Sequence, residues 1–287
     1  MTLATVVQNV ANEAGYTVDT NIITSTETTT KQLLAIAQRV NRHMFDAYPW
    51  PKCFASGSIT LVGGQATYPL PAAFSYSMYE TFWNSSTRWR VLGPLSEQEY
   101  AEWRGFGLNT AIYQRFQIRG ISNNELLIVP TPGATNNGNI IIFEYIADRS
   151  VRPKTWVTST SFAANSYCFY NGNYYQTTAG GTTGATPPTH TSGSVSDGGV
   201  TWAYYSGPYN QFLADTDTTI FDEKTLEQGM LERFAQIHGL EGVRPQFEQQ
   251  LNEDFSRQNI GKVVYAGGGD RPDMFARSGV AVFGTWI

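Results

Sequence analysis

Apolar residues recur at helical spacing at both ends of this chain, and only briefly in the long stretch between. Leu3, Val6, Val7, Val10 and Ala14 form one stripe, and Gly15 is placed to end it. After the Thr-rich link TSTETTT, Leu33, Leu34, Ala37, Val40, Met44 and Tyr48 form a second face, and Pro49 stops that helix. The period returns after Asp222, where Leu226, Met230, Phe234 and Ile237 share a face closed by Gly239. A last helix is predicted from Pro245, with Phe247, Leu251 and Phe255 four apart. Two helices at each end, with β structure between, predict that the four pack as one bundle.

From Ser56 the period changes. SITLV, GG and QATYPL read as a hairpin turned by Gly63 and Gly64. YETFWN, RWRVLG, QRFQIRG, NELLIVP and NIIIFEYIA are further strand candidates in a compact antiparallel domain. Between them, LSEQEYAEWRGFG has the form of a short helix, with Ser96 as cap and Glu99 at its third position.

Residues 154–206 differ from both flanks. They hold ten aromatic residues and one carboxylate, Asp197. Because helical spacing resumes afterwards, this segment is expected to be a β module inserted in a loop, where insertions survive if their ends lie close together. Trp156, Tyr170, Tyr174, Tyr175, Trp202 and Tyr204 are candidates for contact with a glycan or a protein. About half of the module's aromatics are expected to fill its core, since a domain of roughly fifty residues is marginal by size alone. The last segment has a triple glycine, Gly267 to Gly269, which permits free bending. It ends in VAVFGTWI, too apolar to be left in water.

The expected class is therefore α+β: a helical bundle from N- and C-terminal helices, a central antiparallel β domain, an inserted small all-β module and an extended C-terminal tail. The divisions fall at residues 1–51, 52–153, 154–206, 207–262 and 263–287.

The residues offer little chemistry. His43, His190 and His238 have no His or Cys neighbour at metal-ligand spacing, so neither metal nor cofactor is expected. There is no nucleophile elbow. GGGD at 267–270 lacks the Lys-Ser or Lys-Thr of a phosphate loop. Glu97 with Glu102, and Glu223 with Glu227, read as solvated helix faces rather than acid–base pairs. No catalytic residue is assigned and no enzyme is expected. A net charge of −5 disfavours a dedicated DNA-gripping surface. Cys53 and Cys168 stand far apart, which fits a reducing cytoplasm. The N-terminus lacks the basic leader of a signal peptide, and no run reaches the roughly 18 apolar residues of a membrane span.

Taken in order, the segments resemble a phage head-to-tail adaptor of the short-tailed virus type. The resemblance rests on LLAIAQRVNRHMFDAYPWP, GSITLVGGQATYPLPAAF, FQIRGISNNELLIVPTPGA and EQGMLERFAQIHGLEGVRPQFEQQLNEDF. The Tyr-x-Leu-Pro and Pro-x-Pro elements, in that order, carry most of it. The insert is similar to a small β module of phage tail and fibre proteins, through Asn173 to Tyr175, Gly181 to Gly184, Pro187 with Pro188, and Asp197 to Trp202. The resemblance implies a virion protein that forms a homo-oligomeric ring, usually of twelve copies, beneath the portal protein. It further implies a channel through which encapsidated DNA passes without sequence-specific binding, and a platform for tail nozzle or tail fibre proteins. In that frame Val280, Val282, Phe283 and Trp286 are the expected portal-docking arm. A tail tube or nozzle subunit, and a carbohydrate-binding tail protein acting through the insert, are the competing readings.

Overall fold

A computed structural model describes residues 1–78, 80–106, 113–120, 124–239 and 246–259. Among them lie five helices: α1 (Leu3–Glu13), α2 (Thr28–Ala47), α3 (Glu97–Gly105), α4 (Glu223–His238) and α5 (Phe247–Asn259). The chain divides into two compact units. One combines Met1–Lys52 with Asp148–Arg257, and the other contains Cys53–Ala147. The class is α+β, with antiparallel sheets beside the helices.

In the first unit the end helices pack together. Leu3, Val6, Val7 and Val10 of α1 are buried with Leu33, Ala37, Val40 and Met44 of α2. Leu226, Met230 and Phe234 of α4, and Phe247, Leu251 and Phe255 of α5, close the core. Two expected positions differ. Leu34 is only half-buried and Ile36 replaces it, because Ile36 lies four residues before Val40. Ile237 is exposed, in the last turn of α4. The predicted start at Pro245 falls outside the described residues.

The helix ends follow their local chemistry. Asp222 caps α4 by accepting from the Lys224 and Thr225 amides, and Gly239 ends it in the left-handed region at φ 64°. Tyr48, preceding Pro49, is extended at φ −145°, ψ 152° and stops α2. At the crossing of α4 with α2 and α5, Gly229 is needed for its size. A methyl there would come within 2.7 Å of the Phe247 ring and of Val40 Cγ1.

The second unit holds β1 (Phe54–Thr60), β2 (Thr67–Pro69), β3 (Phe74–Ser77), β4 (Trp83–Asn84), β5 (Trp89–Arg90), β6 (Arg115–Arg119), β7 (Glu125–Val129) and β8 (Ile140–Ala147). One sheet runs β1-β8-β4-β5, with β3 also on β8; the other runs β2-β7-β6. The predicted 58–70 hairpin does not form. β1 pairs along its whole length with β8, whereas β2 pairs with β7 in the other sheet. Gly63 and Gly64 make a turn between sheets instead, and the Tyr68 hydroxyl ties it by donating to the Gln65 carbonyl at 2.8 Å. Phe82 stacks on Phe116 and on Phe143, at 3.9 and 4.7 Å, in the core between the sheets. Ser96 and Glu99 form the expected capping box of α3.

The remaining strands belong to the first unit. A two-residue ribbon joins β9 (Val151–Arg152) to a late strand, Thr218–Thr219. Between them lie β10 (Ser161–Phe162), β11 (Tyr167–Tyr170), β12 (Asn173–Ala179), β13 (Gly181–Thr182), β14 (Ser194–Asp197) and β15 (Val200–Tyr205); the late strand is β16. The sheet order is β11-β12-β15-β14, with a separate β10-β13 ribbon. Asn171 and Gly172, both at positive φ, turn β11 into β12.

Candidate functional site

The β9–β16 ribbon is where the excursion leaves and rejoins the helical body, and α2 holds it. Asn41 is fully buried. Its amide donates to Ser150 Oγ at 2.9 Å, and its Oδ1 accepts from Thr219 Oγ1 at 2.8 Å. Gln38 makes both available bonds to the Phe212 backbone, at 2.9 and 3.0 Å. Arg42 reaches Asp148 Oδ1 at 2.8 Å, and the other Asp148 oxygen accepts from Asn210 at 2.7 Å. Removing one partner from the buried Asn41 bonds costs about 1–3 kcal/mol.

A layer of aromatics then fastens the module onto this root. Tyr209 meets Tyr167 at 5.0 Å and Tyr174 at 5.6 Å, and its hydroxyl donates to Asp217 Oδ2 at 3.0 Å. Asp217 also accepts from the Leu213 and Ala214 amides at 2.7 and 3.0 Å. Burial nevertheless raises its pKa above the ordinary carboxyl value, and burial beside this carboxylate raises that of Tyr209. The Tyr174 hydroxyl donates to the Val151 carbonyl at 3.1 Å. Arg149 lies over the Tyr174 ring at 4.6 Å and donates to the Tyr205 carbonyl at 3.2 Å.

Within the module, Phe162, Cys168, Tyr175, Val200 and Trp202 form the core. Phe162 sits edge-on to Trp202 at 4.9 Å. The Cys168 thiol is pushed up to about 12, chiefly by burial, so it carries no reactive thiolate near neutral pH. The module's sole carboxylate is structural: Asp197 Oδ2 accepts from Trp156 Nε1 at 2.9 Å, and Oδ1 from the Thr186 amide. Buried threonines complete the backbone where ladders stop. Thr183 Oγ1 donates to the Val157 carbonyl at 2.7 Å and accepts from the Thr160 amide at 2.9 Å. Thr177 Oγ1 does the same between the Ala163 carbonyl and the Ser166 amide. The two glycine turns lie against each other, so a methyl on Gly198 would come within 2.6 Å of the Gly184 nitrogen.

The six candidate contact residues thus separate. Tyr175 and Trp202 lie in the core, and Tyr174 is buried against the root. Trp156, Tyr170 and Tyr204 pack on the core but stay partly exposed. Trp156 and Tyr170 meet edge to face at 5.6 Å. The expected arm, Val280, Val282, Phe283 and Trp286, lies outside the described residues, as does the GGGD stretch. His43 pairs with Glu248, His238 with Gln32, and His190 packs on Tyr175. Among the described residues, no three His, Cys, Asp or Glu side chains gather as a metal site would require, and no helix is long and apolar enough to cross a membrane.

The root went unread in the sequence because Gln38, Asn41 and Arg42 look like a solvated face. Their i, i+3, i+4 spacing, with Asn41 beside apolar Val40, Met44 and Phe45, was the available signal.

The family described as SU10 adaptor protein matches residues 1–226, a span that takes in α1, α2, Cys53–Ala147 of the second unit and the β segment 154–206. No curated protein matches the chain. The chain belongs to the SU10 adaptor protein family, and is a structural phage adaptor and a virion component.

Proposed function

We propose that the chain forms a homo-oligomeric ring beneath the portal, extending the DNA channel and presenting the platform on which the tail is built. The family match over residues 1–226 carries this reading. The charge supports it: at −5, with charged residues at 15%, the chain can line a channel without holding phosphates back. Residues 263–287 act as the arm that fastens the ring to the portal, with Val280, Val282, Phe283 and Trp286 as anchors. Residues 154–206 act as a separable module that meets tail nozzle or fibre proteins. Its Trp156 and Tyr170 rings meet edge to face instead of lying side by side as one flat surface, and the Trp156 indole N–H is committed to Asp197. That geometry favours a protein partner over a glycan.

One experiment tests these roles together. Purified full chain, chain lacking residues 278–287, and chain with residues 155–206 replaced by a short Gly-Ser linker are each mixed with DNA-filled, portal-bearing heads and imaged. The full chain should appear as a ring in contact with the portal. Loss of the arm should weaken attachment at least tenfold, the equivalent of about 1.4 kcal/mol. The module replacement should still bind, folded, but recruit no tail proteins. Equal binding to heads without a portal would overturn the assignment.

A further inference from the structure

The second unit carries two exposed apolar patches on opposite faces of one hairpin. In β4–β5 the register sets Trp83 opposite Arg90 and Asn84 opposite Trp89. Neighbouring residues of a strand point to opposite faces, so Trp83 and Trp89 lie on opposite sides. Trp83 is 45% exposed and adjoins Ile142, also 45% exposed, in the neighbouring strand β8. Ile140 extends this stripe along β8, and the facing β1 residues are Ser56, Ser58 and Thr60. Among the described residues of these strands, the charges on this face are Glu144, hydrogen-bonded to Ser56, and the Arg90–Glu80 ion pair, leaving one net negative charge. On the other side Trp89, 49% exposed, meets Tyr113 at 5.4 Å. Arg88 precedes Trp89 in the hairpin turn at φ 60°, exposed and without an ion-pair partner among the described residues.

We propose that these patches are the two halves of a head-to-tail contact between copies of this chain, Trp83–Ile142 of one copy receiving Trp89–Tyr113 of the next. The inference rests on the ring reading above. A closed ring built from one kind of subunit needs two different, mutually complementary surfaces on every copy. Here both patches present tryptophan with an aliphatic or aromatic neighbour, the composition of an interface centre. The charges add to this: the unpaired Arg88, next to Trp89 in the chain at the tip of the hairpin, can reach the net negative face of the next copy. Patches on opposite sides of a hairpin also let a subunit be held from both sides at once.

Cysteine pairs test it on the full chain, in a background with Cys53→Ala and Cys168→Ala, alone and bound to portal-bearing heads. Ile142→Cys with Trp89→Cys in one chain should oxidise to a ladder extending beyond dimers, while either substitution alone should give no cross-linked species. Ile142→Arg should lower assembly on the portal at least tenfold without changing the melting temperature of the free subunit. Dimers from Ile142→Cys alone would mean a two-fold contact and overturn the proposal. A ring seen on the portal without any ladder would overturn it while leaving the ring reading intact. No ring on any head would sink both.

Discussion

The helical bundle and the module it carries bury their interiors with different materials. The bundle uses Val, Leu, Met and Phe on helical stripes, and its polar residues act at the caps, at the root and in the buried Thr225–Asp254 pair. The module buries five residues in its own core, three of them large aromatics, and surrounds them with threonine and glycine. Helices satisfy their own backbone groups, so their side chains need only be apolar. Strands of two to seven residues leave amides and carbonyls unpaired at every end. Thr177 and Thr183 supply those missing partners, and glycines let two turns pack backbone to backbone. The Thr- and Gly-rich composition is thus what a very small β core requires of its surroundings.

The sharpest break in this contrast should come from Trp202→Ala. Truncating a fully buried tryptophan costs about 3–5 kcal/mol, enough to open the module while the bundle stays folded. In a Cys53→Ala background, Cys168 should then react with a thiol reagent at least a hundredfold faster, with helical circular dichroism unchanged. A parallel loss of helix would show that bundle and module fold as one.

Thr183→Val keeps the shape and removes the hydroxyl. It should cost about 2 kcal/mol, because a buried amide and a carbonyl lose their partner together. Thr225→Val serves as the comparison in the bundle, where a single bond, to Asp254, is lost. Equal costs would remove the distinction between backbone completion and ordinary side-chain bonding.

Gly229→Ala pits two effects against each other. Alanine favours a helix by roughly 1 kcal/mol over glycine, but overpacking at the crossing costs about 1–3 kcal/mol. A net loss of about 1 kcal/mol in a denaturant melt is expected. A gain would mean that the three helices can move apart freely.

The smallest effect is electrostatic and lies at the root. Burial holds the Asp217 pKa above its ordinary 3.8, so the folded chain keeps a proton that the unfolded chain has lost. The contribution to stability is full below 3.8 and is lost as pH rises through the higher folded value. Acidification from neutral pH toward 4 should therefore stabilise the wild type slightly relative to Asp217→Asn. Identical pH slopes in the two proteins would show that the Leu213, Ala214 and Tyr209 donors fully offset the burial.

What could be read from the sequence was whatever is decided locally. Helical stripes, the Ser96–Glu99 box and the Gly239 stop depend on residues within a turn or two of each other. The hairpin at 58–70 was misread because β1 takes its partner from β8, far along the chain, and no nearby residue records that choice. Leu34 and Ile237 were misplaced because a stripe gives the direction of burial but not its width. In the candidate site, abundance of aromatics was plain, but their division into core, root and surface depends on β11, β12 and β15 coming together. Trp202 and Tyr204, two residues apart on β15, end up fully buried and partly exposed.

The pair of two-residue strands, Val151–Arg152 and Thr218–Thr219, fixes where the long β segment leaves and rejoins the helices. It brings two chain ends one strand spacing apart beside Asn41, while Tyr209 and Arg149 add contacts to the particular residues carried there. Lengthening a loop closed at such a point adds only about 0.6 kcal/mol for each doubling. The ribbon therefore acts as a closure: a change of length between its strands costs little, whereas a change of fold would forfeit the contacts of Tyr209 and Arg149 with Tyr174.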